Sequence, residues 1–180
     1  SDSPFPWHDR FVDGILNWPQ ADTGRPSTYL LGTVKSNGPW IPLTGQANQC
    51  DSGYYTAGDN RLHYPNMLWL EIVWELDILA LTCTDRPIFG VVQSAQIAFD
   101  SQETWWPYDS SPPSTHFDLE SVATHELGHA WGWWGHFSQG DPAMCPGSSS
   151  DKTMCGSIGA GQSHWRSTTV HDRHTMKGWY

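Results

Sequence analysis

Residues 125–136 read His-Glu-Leu-Gly-His-Ala-Trp-Gly-Trp-Trp-Gly-His. His125 and His129 stand four positions apart, a spacing that on a helix brings both imidazoles to one face, close enough to grip one metal ion. Glu126 adjoins the first of them, where its carboxylate can reach a water at that metal. Gly132 can adopt a positive φ and end the helix, and the chain can then return His136 as a third nitrogen ligand. Three neutral imidazoles with a fourth position left open describe a catalytic zinc centre, not a closed structural one. A bare His-Glu-x-x-His occurs by chance in many sequences. Its weight here comes from the glycine and histidine that follow and from the helix expected around it.

That helix is predicted from its apolar stripe. Leu119, Val122, Ala123, Leu127 and Ala130 recur at helical spacing, with His125 and His129 along the flank. Asp118 is placed to cap it and Glu120 to favour its first turn. Around it, residues 1–27 are rich in Pro, Asp and Trp and are expected to wrap the surface. Residues 27–35 read as a strand closed by Asn37-Gly38-Pro39. Residues 67–81 are apolar and ambiguous between strand and helix, and 88–99 read as strand. Residues 101–117, with Trp105, Trp106, Pro107, Pro112 and Pro113, read as a long loop, and 137–166 as another. Thr168 or Thr169 can cap a last helix running to about Lys177. Early strands, a later site helix and a closing helix give an α+β layout, with helices packed on a mixed sheet.

The chain has 180 residues, with no repeat or linker, and reads as one domain, 1–180. Nine Lys and Arg stand against 19 Asp and Glu, for a net charge of -10. Phosphate backbones and anionic lipid both need clustered positive charge, so neither nucleic acid nor a membrane surface is an expected partner. No apolar run is long enough to span a bilayer. The sequence opens without a basic-then-apolar leader, so any signal peptide is expected to have been removed. Four cysteines, few lysines and abundant Gly, Pro and Trp suit an oxidising, secreted setting. Cys145 and Cys155 bracket the run 147–150 and are paired here as neighbours of one loop, which leaves Cys50 with Cys83.

The segment Phe117 to His136 (FDLESVATHELGHAWGWWGH) resembles the zinc helix of metzincin metallopeptidases, closest to secreted matrixin-like ones of bacterial type. Thr153-Met154-Cys155, followed by Val170 through Tyr180, resembles their Met-turn and C-terminal helix. Gln96 to Asp100 is similar to the strand before their long loop. The resemblance runs from about residue 88 onward. It departs from the pattern at Gly135, where the third histidine would stand, so that His136 implies one inserted residue. Phe137 assigns no subfamily.

The resemblance implies a metzincin-like catalytic domain, with a mixed twisted sheet, an active-site helix and a C-terminal helix. It also implies a zinc endopeptidase in which His125, His129 and His136 hold the metal and Glu126 is the general base. A methionine lies beneath the metal. Met154 fits the spacing to the last helix, while Met144 stays open because it lies eight residues after His136 and precedes Cys145-Pro146. The expected partner is a protein or peptide substrate bound extended, and the expected state a monomer. Calcium is common in such proteins, but no Asp-x-Asp-x-Asp-Gly loop specifies it. His171 and His174 are expected on the polar face of the last helix, and His8, His63, His116 and His164 at the surface. His164 and His171 are the substitutes should His136 be too distant. A zinc amidase acting on cell-wall peptides and a non-catalytic Trp-rich binding module are the alternative readings.

Overall fold

A computed structural model describes residues 7–18, 35–36, 61–63, 78–84, 95–100, 102–131 and 152–177. In chain order these form α1 (Trp7–Leu16), β1 (Lys35–Ser36), β2 (Arg61–His63), β3 (Ala80–Thr84), β4 (Ala95–Phe99), β5 (Trp105–Trp106), β6 (Phe117–Asp118), α2 (Leu119–Ala130) and α3 (Val170–Lys177). His136, Gly132, Gly135, Trp133, Trp134, Phe137, Met144, Cys50 and Cys145 lie outside the described residues.

β1, β2 and β4 run parallel, and β3 pairs antiparallel with β4, in the order β1-β2-β4-β3. The sheet is therefore mixed, and β1 and β3 are its edges among the described strands. Register sets what faces the helix. Ala80 lies opposite Phe99, Thr82 opposite Ile97 and Thr84 opposite Ala95. Ala95, Ile97 and Phe99 join Leu119, Val122, Ala123, Leu127 and Ala130 of α2 in the main core. Alternation turns Leu81 and Ala98 to the opposite face, where they form a small separate cluster with Ile78.

Three expectations are corrected. The amino-terminal segment does not simply wrap the surface. Phe11, Ile15 and Trp18 recur at helical spacing within a Pro- and Asp-rich stretch. α1 forms there and packs on α2, burying Ile15 and Trp18 almost completely. Second, the sequence marks a single apolar stripe on α2, whereas burial extends almost all the way round it. Leu119 through Gly128 and Ala130 are all buried, and only His129 is half-exposed. The sheet accounts for one side of this enclosure, α1 for another, and Met154 with Trp165 for a third. Third, the loop at 101–117 contains β5, which pairs in parallel with β6. It is tied back by Trp105, whose indole N–H donates to the Asp100 carbonyl at 2.7 Å and whose ring meets Phe99 edge-on.

Of the ambiguous 67–81 stretch, Ala80 and Leu81 belong to β3, and 67–77 lie outside the described residues. The strand read at 88–99 is seen from Ala95, and the one read at 27–35 only at Lys35–Ser36.

Among the described residues Trp18 is the largest fully buried side chain, and its indole N–H donates to the Thr124 carbonyl at 2.8 Å. Trp18→Ala is expected to cost about 3–5 kcal/mol in urea unfolding. Leu16→Ala, at a 64% exposed position of the same helix, should change stability by less than about 0.5 kcal/mol.

Candidate metal centre

The site helix is fixed first at its start. Asp118 is the N-cap, as the sequence indicates, and its carboxylate accepts the Ser121 amide at 2.9 Å. The same carboxylate, fully buried, is paired with the Arg166 guanidinium, whose Nε stands 2.9 Å away. Arg166 also donates to the carbonyls of Tyr108 and Ser110. One cation thus joins the cap, the 108–110 loop and the segment before α3. The Asp118 hydrogen bond is the main influence holding Arg166 above its ordinary pKa.

About two and three turns further on, α2 presents the two histidines. The His125 and His129 rings cross at 83°, with their Nε2 atoms 3.1 Å apart. His125 Nδ1 is 2.6 Å from the carbonyl oxygen of Thr153. A carbonyl has no proton to give, so Nδ1 carries the hydrogen and Nε2 keeps its lone pair. Two nitrogen ligands on one tetrahedral zinc stand about 3.3 Å apart at ordinary bond lengths. The observed separation and tautomer therefore fit a shared zinc ion. The Trp165 ring, 2% exposed, lies nearly parallel to His125 at 5.1 Å and fixes the plane of the imidazole from the side.

Thr153 and Met154 occupy the corner of a turn closed by the Cys155 amide on the Lys152 carbonyl. Asp172 holds this turn. Its carboxylate accepts the amides of Thr153 and Met154 at 3.2 and 3.4 Å. It also accepts the amide and hydroxyl of Thr169, whose hydroxyl in turn accepts the Asp172 amide. This reciprocal arrangement is a capping box, and it selects Thr169 over Thr168 as the cap of α3. Thr168 instead donates its hydroxyl to the Asn17 carbonyl. Met154 is wholly buried against α2 at Gly128. A β-carbon at Gly128 would stand 2.3 Å from the Met154 sulfur and 2.9 Å from Trp18, so only glycine lets the turn come this close.

Glu126 lies between the two histidines in sequence and is 95% buried, since only 5% of its surface is exposed. Burial pushes its carboxyl up to about 7, against the pull of a hydrogen bond from Thr82. Thr82 Oγ1 lies 2.5 Å from Glu126 Oε2. Neither Thr82, Asp172 nor Trp165 was singled out from the sequence. A threonine on the helix-facing side of the strand at 80–84, and a Thr-x-x-Asp box, were the available signals.

Of the remaining histidines, His171 is exposed. His116 is half-buried beside Trp106. His164 is not a simple surface residue, since its ring meets Trp165 edge-on and its Nε2 is buried. The side chains of His8, His63 and His174 lie outside the described residues. Cys83 and Cys155 are both disulfide-bonded, while their partners fall outside the described residues. Asp13, Asp109 and Glu120 converge closely enough to suggest a cation site. Arg10 already reaches all three, so the trio is an ion-pair cluster and supplies no calcium site.

The segment that carries β3, β4, α2 and the Thr153–Met154 turn is also the one with known relatives. Residues 78–155 match the family model for Matrixin. The matched segment, less than half of the chain, is similar to a matrixin domain. The metalloendoproteinase 4-MMP of Arabidopsis thaliana is 44% identical over 55 residues, which is 30% of this chain and 16% of that protein. The chain thus spans only a small part of that relative's length. No solved structure matches. The match makes zinc the metal to expect at these histidines. α1 and α3, which brace the matrixin segment, lie outside the matched residues.

Gly128→Ala is expected to force Met154 off the helix and cost roughly 1–3 kcal/mol by overpacking. Asp172→Ala removes a cap and the acceptor for both turn amides, and should cost about 2–4 kcal/mol. Chemical denaturation of both variants, with Thr169→Ala as a cap-only control, measures these effects.

Proposed function

We propose that this protein is a secreted zinc endopeptidase. The observation that carries the reading is the pair of histidine Nε2 atoms 3.1 Å apart on α2, with the buried Glu126 between them in sequence. His125, His129 and His136 would hold the metal. Bound zinc supplies Lewis acidity, polarising a peptide carbonyl and acidifying a water. Glu126 then takes the proton of the attacking water and delivers it to the nitrogen of the breaking C–N bond. A carboxyl brought by burial to about 7 can do both near neutral pH. The Thr153 carbonyl holds His125 in the tautomer that leaves Nε2 free, and Asp172 holds Thr153. Met154, buried beneath the histidine helix at Gly128, is the methionine of the Met-turn in this reading.

Secretion is supported by the cysteines, since Cys83 and Cys155 are both half-cystines. The pairing proposed is Cys145–Cys155, tying the loop that leads into the Thr153–Met154 turn, and Cys50–Cys83. Peptide mapping without reductant should recover those two linked peptides, and a Cys83–Cys145 or Cys50–Cys155 peptide would overturn the assignment.

Metal analysis should find about one catalytic zinc per chain. Chelation should abolish cleavage of casein or gelatin, and added zinc should restore it. Glu126→Ala should keep the metal and lower the rate roughly 100-fold or more. Unchanged proteolysis in that variant refutes the mechanism. His136→Ala should weaken zinc binding far more than His164→Ala or His171→Ala. Cell-wall digestion without casein cleavage would point to an amidase instead.

A further inference from the structure

The strand beside the site helix carries a hydroxyl within reach of that helix, between Ala80 and Thr84 on the same face. Thr82, which bears it, stands opposite Ile97 on the face of the sheet toward α2. Ala80 and Ile97 both pack in the main core. Thr82 is half-buried, and its Oγ1 has two acceptors in reach, both from one residue: Glu126 Oε2 at 2.5 Å and the Glu126 backbone carbonyl at 3.1 Å. Among the described residues, no other group hydrogen-bonds the Glu126 carboxylate.

We propose that Thr82 is a positioning residue for Glu126, its hydroxyl holding the carboxylate at the place where the proton is taken and returned. The inference rests on the reading of Glu126 as the proton-transferring group. A glutamate has three side-chain torsions, and an unrestrained carboxylate samples several orientations. Proton transfer needs one of them, so fixing it converts bound time into reactive time. The support is itself firm, because Thr82 belongs to a strand whose every residue from Ala80 to Thr84 is registered against β4.

The two contacts also suit a group that must exist in two forms. A hydroxyl has one proton to donate and two lone pairs. While Glu126 is ionised, the Thr82 proton goes to Oε2. Once Glu126 has taken a proton, its carboxyl O–H donates to Thr82 Oγ1, and the Thr82 proton turns to the Glu126 carbonyl. Both forms keep a hydrogen bond, and no heavy atom moves. Valine has the shape of threonine and the same preference for a strand, but can serve neither form. Serine can serve both.

The test compares wild type, Thr82→Val, Thr82→Ser and Glu126→Ala on a fluorogenic peptide, with zinc content and thermal unfolding measured on each. Thr82→Val is expected to keep its zinc and its KM while kcat falls roughly tenfold, the signature of an interaction used in the transition state and not in substrate binding. Thr82→Ser should return kcat to within about threefold of wild type. A Thr82→Val enzyme with wild-type kcat, beside a Glu126→Ala enzyme that has lost activity, overturns the positioning role and leaves the proposed function standing. Equal impairment of the Val and Ser variants assigns Thr82 to packing alone and also overturns it. Retained activity in Glu126→Ala overturns the proposed function itself. Should Thr82→Val fail to fold at the assay temperature, Thr82→Ala takes its place under the same criteria.

Discussion

Enclosing α2 on nearly every side makes its polar groups depend on protein partners in place of water. A buried donor or acceptor left unpaired costs about 1–3 kcal/mol, and more when charged. The helix carries Glu120, Ser121, Thr124, His125 and Glu126 into that enclosure. Their partners come from other segments. Asn17 reaches Glu120 and Thr124 from the end of α1. Thr82 reaches Glu126 from β3, and the Thr153 carbonyl reaches His125 from the turn before α3. The chemistry of the site is therefore specified by contacts that span most of the chain. The same contacts that satisfy the helix also orient its reactive atoms.

Asp172 shows how a single buried carboxylate couples three of these segments. It completes the cap of α3, anchors the Thr153–Met154 turn, and through Thr153 sets which nitrogen of His125 bears the proton. Hydrogen bonds to an ionised acceptor contribute about 1.5–3 kcal/mol each, roughly twice a neutral one. Strain or loss at the start of α3 is thus transmitted to an imidazole on α2 through one backbone carbonyl. Trp165 adds a second, apolar restraint on the same ring.

The charged groups are divided between the two ends of α2. Asp118 and Glu120 sit at its amino terminus, where the helix dipole favours negative charge, and Arg10 and Arg166 neutralise them there. Burial raises the Glu120 carboxyl, while Asn17 and the two arginines draw it down. The histidines lie toward the other end, and His129, the half-exposed one, stands in the last turn. A net charge of -10 thus coexists with a site helix whose acidic end is locally paired.

The sequence by itself determined the local features. Asp118 as cap, the helix through His125 and His129 and the α3 boundary at Lys177 followed from spacing and capping chemistry, because these depend on residues within a few positions of one another, while the mixed sheet was read from the order of the elements. It misjudged α1, whose stripe of Phe11, Ile15 and Trp18 is hidden among prolines and aspartates, and its single apolar stripe on α2 did not reveal that the helix is enclosed. Enclosure of a helix is a property of what packs around it, and no periodicity within the helix records that. Only the tertiary structure brought Thr82 to Glu126 across 44 positions, Thr153 to His125 across 28 and Asp172 to Thr153 across 19. Each of those contacts is a single hydrogen bond between residues of ordinary type, so its identity was decided by chain topology and register.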